Sequence, residues 1–144
     1  ADMFGRAGVK AEVSDRVIED LWTKLIVNCA YNALSAIPQL PYGRMMGVDG
    51  VTAAMKDIVE ECLAVARACH VPIADGILAK VLGLAATMPD QLSSTAQDLA
   101  KGKRTEIGHL NGYIVASGER LGIATPANRL LTVIVKLMEA SNRE

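Results

Sequence analysis

The sequence predicts an all-α domain, on three observations. Apolar residues recur at intervals of three and four along each long segment, the spacing of one helix face. The two runs that resemble strands, LIVNCAY and TVIVKLM, each lie inside a longer stretch with that same spacing. No βα alternation is present, and neither is the glycine-rich GxGxxG turn that cradles a dinucleotide, so this chain alone is not expected to bind a nicotinamide cofactor well.

Five main helices are expected, in order. The first runs from about Ser14 to Ala36, with Ser14 or Asp15 as cap and Glu19 and Asp20 favouring its positive end. Pro38 and Pro41 stop it, and IPQLPYG reads as an extended connection or turn. Asp49 opens the second, through about Cys69, with Met55, Ile58, Val59 and Cys62 on its apolar face. The third covers roughly Asp75 to Thr87 and ends before Pro89. DQLSSTAQDLAKGKRTE then reads as a long polar connection, of a kind that often carries function. The fourth starts near Thr105 and stops at Gly122, and the fifth opens at Pro126 and ends near Ala140.

The 144 residues suit one domain, 1–144, and a hydrophobic content of 51% supplies a core built from aliphatic side chains, since only 3% are aromatic. The net charge of -1 and the shortness of the KGKR cluster argue against nucleic acid or an anionic membrane as partner. No uninterrupted apolar run of about 18 residues exists to span a membrane. Three cysteines without a CxxC, all in apolar helical surroundings, read as reduced thiols of a cytoplasmic protein. The first residues lack a signal-like segment and read like the middle of a longer chain. His70 and His109 have no ligand-like spacing, so no metal is expected. No Ser–His–Asp arrangement suggests itself either.

A polar row inside the first helix carries the most information. Four residues advance a helix roughly 40° past one turn, so Lys24, Asn28 and Asn32 line one slowly drifting face, with Ser35 following. Leu21, Leu25, Ile26 and Val27 around them make the helix dry nearly all round. An ammonium and two carboxamides in such surroundings are costly unless satisfied. Two readings satisfy them: internal polar partners, or a small polar ligand in a cleft. Elsewhere, Ser93, Ser94 and Thr95 either donate to a carboxylate or cap a short turn over about Thr95 to Leu99. Glu106 is either a dipole-compensating acid at a helix start or an acceptor for a sugar hydroxyl. Gly108 and Gly112, spaced as GxxxG, point to close approach of another helix or of a ligand, with helix packing preferred.

Three segments together carry a family resemblance: LWTKLIVNCAYNALSAI, SSTAQDLAKGKRTEIGHLNG and GIATPANRLLTVIVKLME. In this order and spacing they resemble the C-terminal domain of ketopantoate reductase (2-dehydropantoate 2-reductase), over about Asp15 to Glu139. The resemblance implies an all-helical domain of the 6-phosphogluconate dehydrogenase-like C-terminal type, without the N-terminal Rossmann domain. It implies the substrate side of an NADPH-dependent reduction of ketopantoate to pantoate, on the route to pantothenate and coenzyme A. Under it Lys24 is the general acid, Asn28 and Asn32 bind substrate, Ser94 binds the substrate carboxylate, and Glu106 contacts the cofactor ribose. No metal takes part. Where the family often has a substrate-contacting asparagine in a Pro-Asn-Gly turn, this chain has Pro41, Tyr42 and Gly43, which leaves other 2-keto acids open as substrates. The chain alone is expected to be folded and catalytically silent. A homodimer through helices is compatible with the GxxxG spacing. A free-standing helical binding module is the non-enzymatic alternative.

Overall fold

Helix α1 (Val17–Ala36) is the axis of the domain, because one of its faces carries only residues that pack: Trp22, Ile26, Cys29, Ala30, Ala33 and Ala36 are all buried. In the computed structural model residues 16–142 are described, so the expected caps Ser14 and Asp15 lie outside the described residues. The remaining elements are α2 (Tyr42–Met46), α3 (Val51–Ala68), α4 (Ile77–Thr87), α5 (Ser94–Ala100), a 3₁₀ turn (Ile107–His109), α6 (Asn111–Leu121) and α7 (Pro126–Ser141). Among the described residues there is no strand. Helix α1 packs against α3, α5 and α7, and α6 lies across α3 and α7. The core between them is aliphatic, with Ile26, Met55, Ile58, Ile114 and Val135 almost wholly buried. Each such side chain contributes about 1.5–3 kcal/mol by leaving water.

Three local readings are sharpened or changed. The extended connection or turn expected over IPQLPYG is a turn at 37–39 with Pro41 in extended backbone, but its last residues, from Tyr42, already belong to the short helix α2. Within the long polar segment the capped turn expected over about Thr95 to Leu99 is present and is longer, a full helix α5 capped by Ser93, whose Oγ accepts from Ala96 N at 3.0 Å. The expected fourth helix is broken. Leu110, at φ -105 and ψ -104, separates the 3₁₀ turn from α6. Gly108 and Gly112 therefore do not share one helix face. A Cβ on Gly108 would meet nothing, whereas one on Gly112 would stand 3.1 Å from Ile107 O and 3.6 Å from Thr132 Cγ2. Gly112 thus serves packing of α6 within the domain.

Two tyrosines fasten α1 to α4 and α2. Tyr31 Oη donates to Val81 O at 2.6 Å and accepts from Ala85 N at 3.2 Å, and its ring centroid lies 4.5 Å from that of Tyr42. Tyr42 is therefore a core residue, filling space at the end of α1. Burial pushes both phenols up from their ordinary range, while the Ala85 N–H works against this at Tyr31 and the neighbouring Tyr31 adds to it at Tyr42. A raised folded-state value means that the stabilisation is complete below the ordinary tyrosine value of about 10 and is lost as pH rises through the higher folded one. Thermal melts are expected to fall above about pH 10 in the parent and less so in Tyr42→Phe; equal alkaline slopes in both would contradict this.

Candidate functional site

Helix α1 has a second face, opposite its core face. At roughly 100° per residue, Val17, Leu21, Lys24, Asn28 and Asn32 fall within one sector of it, and Ser35 closes the line. The line passes from an exposed end to a buried one. Val17 is 46% and Leu21 58% exposed, Lys24 is exposed, Asn28 is half-buried, and Asn32 and Ser35 are buried. The picture of a helix dry nearly all round is thus corrected: its first turns are apolar but uncovered, with Ile18 at 56% completing the patch. Only the N-terminal half of the polar row, Lys24 and Asn28, reaches solvent, while Asn32 and Ser35 are inside. The row runs outward from a covered end to an open one.

The covered end is closed by the segment leading into α5. Asn32 Nδ2 donates to Ser94 Oγ at 3.4 Å, a long contact between two of the residues expected to meet substrate. Ser94 is itself exposed, whereas Ser93 is buried and occupied as the cap, so the two adjacent hydroxyls have different tasks. Lys24 has no partner among the described residues. An exposed ammonium, a half-buried carboxamide, and a buried carboxamide against an exposed hydroxyl follow one another along α1. Such a set can hold a carboxylate or hydroxyl at one end and meet a developing oxyanion at the other.

Glu106 immediately precedes the 3₁₀ turn Ile107–His109. It is exposed and lines a pocket of about 610 Å³ with Arg104, His109, Lys136 and Glu139, to which no residue of the α1 row contributes. Its neighbour Thr105 is anchored, since Thr105 N and Oγ1 donate to Glu139 Oε1 at 2.6 and 2.5 Å. Glu139 was not singled out from sequence. Its only signal is an acid among the partly buried positions of α7.

Sequence reasoning also missed a buried network behind α1. Asn111 Nδ2 donates to Cys29 O and to Asn128 Oδ1, both at 3.0 Å. Asn128 Nδ2 donates to Glu61 Oε2 at 2.7 Å and to Ile58 O at 3.3 Å. The Glu61 carboxylate also accepts from Ala127 N at 2.8 Å and Asn128 N at 3.0 Å, as an acid should at a helix start. Asn111 and Gly112 hold helices together. The available signal was Asn128, a polar residue on the apolar face of its helix. Burial, with contact to Cys62, pushes the Cys29 thiol well up, so this neighbour of Asn28 is a packing residue and no nucleophile. The three cysteines are free. Among the described residues no group of three or more His, Cys, Asp or Glu side chains is placed to hold a metal ion, and no helix is long and apolar enough to cross a membrane.

Comparison with known proteins agrees with the fold. Residues 16–139 match the family described as ketopantoate reductase PanE/ApbA C terminal. A 2-dehydropantoate 2-reductase of Pyrobaculum aerophilum is 34% identical over 97% of this chain and 50% of its own length. The crystal structure of a PanE/ApbA family ketopantoate reductase from Ralstonia eutropha JMP134 superposes with a TM-score of 0.91 at 56% identity, covering 100% of this chain and 48% of that one. A D-mandelate dehydrogenase held with NADH and anilino(oxo)acetate superposes at 0.86 with 28% identity, covering 100% of this chain and 61% of the other. The chain spans about half the length of the curated relatives it matches.

Proposed function

Since this chain belongs to the ketopantoate reductase family, as its C-terminal domain, we propose that it is the substrate-binding and general-acid half of an NADPH-dependent 2-dehydropantoate 2-reductase. The observation that carries this reading is the outward row on α1, which runs from uncovered apolar turns through Lys24 to the Asn32–Ser94 contact. Uncovered Val17, Ile18 and Leu21 beside an uncovered lysine are what a surface awaiting a second domain looks like. A partner domain seated there would turn an open face into a cleft and remove Lys24 from water.

When bound, the nicotinamide supplies a hydride to the carbonyl carbon of the keto acid. As that bond forms, negative charge grows on the carbonyl oxygen. The Lys24 ammonium stabilises it and gives it a proton. Asn28 and Asn32 orient the hydroxyl and carboxylate of the substrate with paired donors and acceptors, and Ser94 Oγ donates to the carboxylate. Glu106 fits a ribose, because its exposed carboxylate has no protein partner among the described residues and only accepts hydrogen bonds. Three free thiols suit a reducing compartment, and we place the protein in the cytoplasm.

The test is NADPH oxidation with ketopantoate, by this chain alone and by a protein in which an upstream cofactor domain is joined to it. The chain alone is expected to be silent and the joined protein active; turnover by the chain alone would refute the division of labour. A second reading keeps the chemistry and changes the acid. It is favoured by the likeness to a D-mandelate dehydrogenase and by Tyr42, whose ring lies in the core and offers no amide. A panel of 2-keto acids compared by kcat/KM separates the two.

A further inference from the structure

The row on α1 ends in a serine that never reaches solvent. Ser35 Oγ donates to Leu40 O at 2.8 Å and accepts from Ser93 N at 3.2 Å. One turn earlier, Asn32 O accepts from Ser93 Oγ at 2.9 Å, while that same Oγ accepts from Ala96 N at 3.0 Å. Two residues of α1 thus grip both the backbone and the hydroxyl of Ser93. The segment before it is held from its other side, where Tyr42 N donates to Gln91 O at 3.0 Å and Gly43 N to Pro89 O at 2.8 Å. Gly43 permits this approach, since a Cβ there would stand 2.8 Å from Pro89 Cβ. Ser94, the next residue, is carried into place beside Asn32.

We propose that Ser35 is a positioning residue for the carboxylate-binding side of the site, acting through Ser93 on Ser94 and Asn32. The proposal rests on the reading of function given above. Its physical basis is the direction of the hydrogen bonds, Ser93 N–H to Ser35 O–H to the Leu40 carbonyl. Only a side chain that donates and accepts at once completes that line. Alanine would leave the buried Ser93 N–H and the part-buried Leu40 carbonyl each short of a partner, and both would be free to seek water by shifting the segment. Threonine would keep the line intact.

In the two-domain protein, Ser35→Ala is expected to raise KM for ketopantoate about tenfold, with kcat within about threefold of the parent. Ser35→Thr is expected to bring KM back to near the parent value. Ser117→Ala, a buried serine on α6 outside this clamp, should leave KM unchanged. If Ser35→Ala does not fold, Ser93→Ala takes its place, with the same rise in KM expected. An unchanged KM in the variant used, or an equal rise in Ser117→Ala, overturns the proposal. A second arm needs no catalysis. Amide hydrogen exchange on the 144-residue chain should show faster exchange at Ser93 in Ser35→Ala, with the amides of α7 unaltered. Should the parent reduce no keto acid, the functional reading fails and the exchange arm decides alone: unaltered exchange at Ser93 means that Ser35 holds nothing.

Discussion

Replacing Lys24 by alanine in a protein that carries both halves is expected to lower kcat by roughly 10²–10⁴, the range for loss of a positioned general acid. The fold offers an unusually clean setting for this experiment. Lys24 is exposed and has no partner among the described residues, so its side chain supports nothing in the domain. Exposed substitutions of that sort usually change stability by no more than about 0.5 kcal/mol. Circular dichroism and the melting temperature of Lys24→Ala should therefore match the parent while turnover collapses. Lys24→Arg separates the two parts of the role. A guanidinium keeps the positive charge but does not give up its proton, so it should recover part of the electrostatic stabilisation and little of the proton donation. An alanine variant with parental kcat would remove Lys24 from the chemistry altogether.

The second large effect falls on stability and lies behind the site. Asn128→Ala is expected to cost about 3 kcal/mol, because it strips partners from several buried groups at once. Asn111 Nδ2 would keep only Cys29 O, and the Ile58 carbonyl and Glu61 carboxylate would each lose a donor. The site has no slack, since Asn111 Oδ1 is already buried without a partner. For a chain of this size the loss corresponds to a fall of roughly 10 °C in Tm. Asn128→Asp should be at least as damaging, for it would place a second carboxylate where Nδ2 now stands 2.7 Å from Glu61 Oε2. A double-mutant cycle with Asn111→Ala should show strong coupling between the two amides. A loss below about 1 kcal/mol for Asn128→Ala would mean that water or rearrangement satisfies the network.

The two experiments probe different kinds of asparagine, and the sequence does not distinguish them. Asn28, Asn32, Asn111 and Asn128 all sit in apolar helical stretches. In the first pair Asn28 is half-buried and Asn32 is buried against Ser94, and the second pair lies between helices. A helix wheel sorts residues by angle, and angle is a local property. Whether a given sector meets solvent, another helix or a ligand depends on what packs over it.

The helical class, most helix boundaries, the family, and the common face of Lys24, Asn28 and Asn32 were legible in the chain, because spacing, prolines and caps act over a few residues. The breaks in that reading have long-range causes. Leu110 interrupts the expected fourth helix where Thr105 is pulled to Glu139, 34 residues away. Ser93 becomes the cap and leaves Ser94 free because Ser93 is gripped from α1, 58 and 61 residues distant. Tyr42 sinks into the core because Tyr31 is there to stack on it. Local patterning could say which side chains share a direction. Only the packing of helices distant in sequence could say which of those directions stays open, since burial and hydrogen-bond satisfaction belong to the assembled fold and to no short stretch of it.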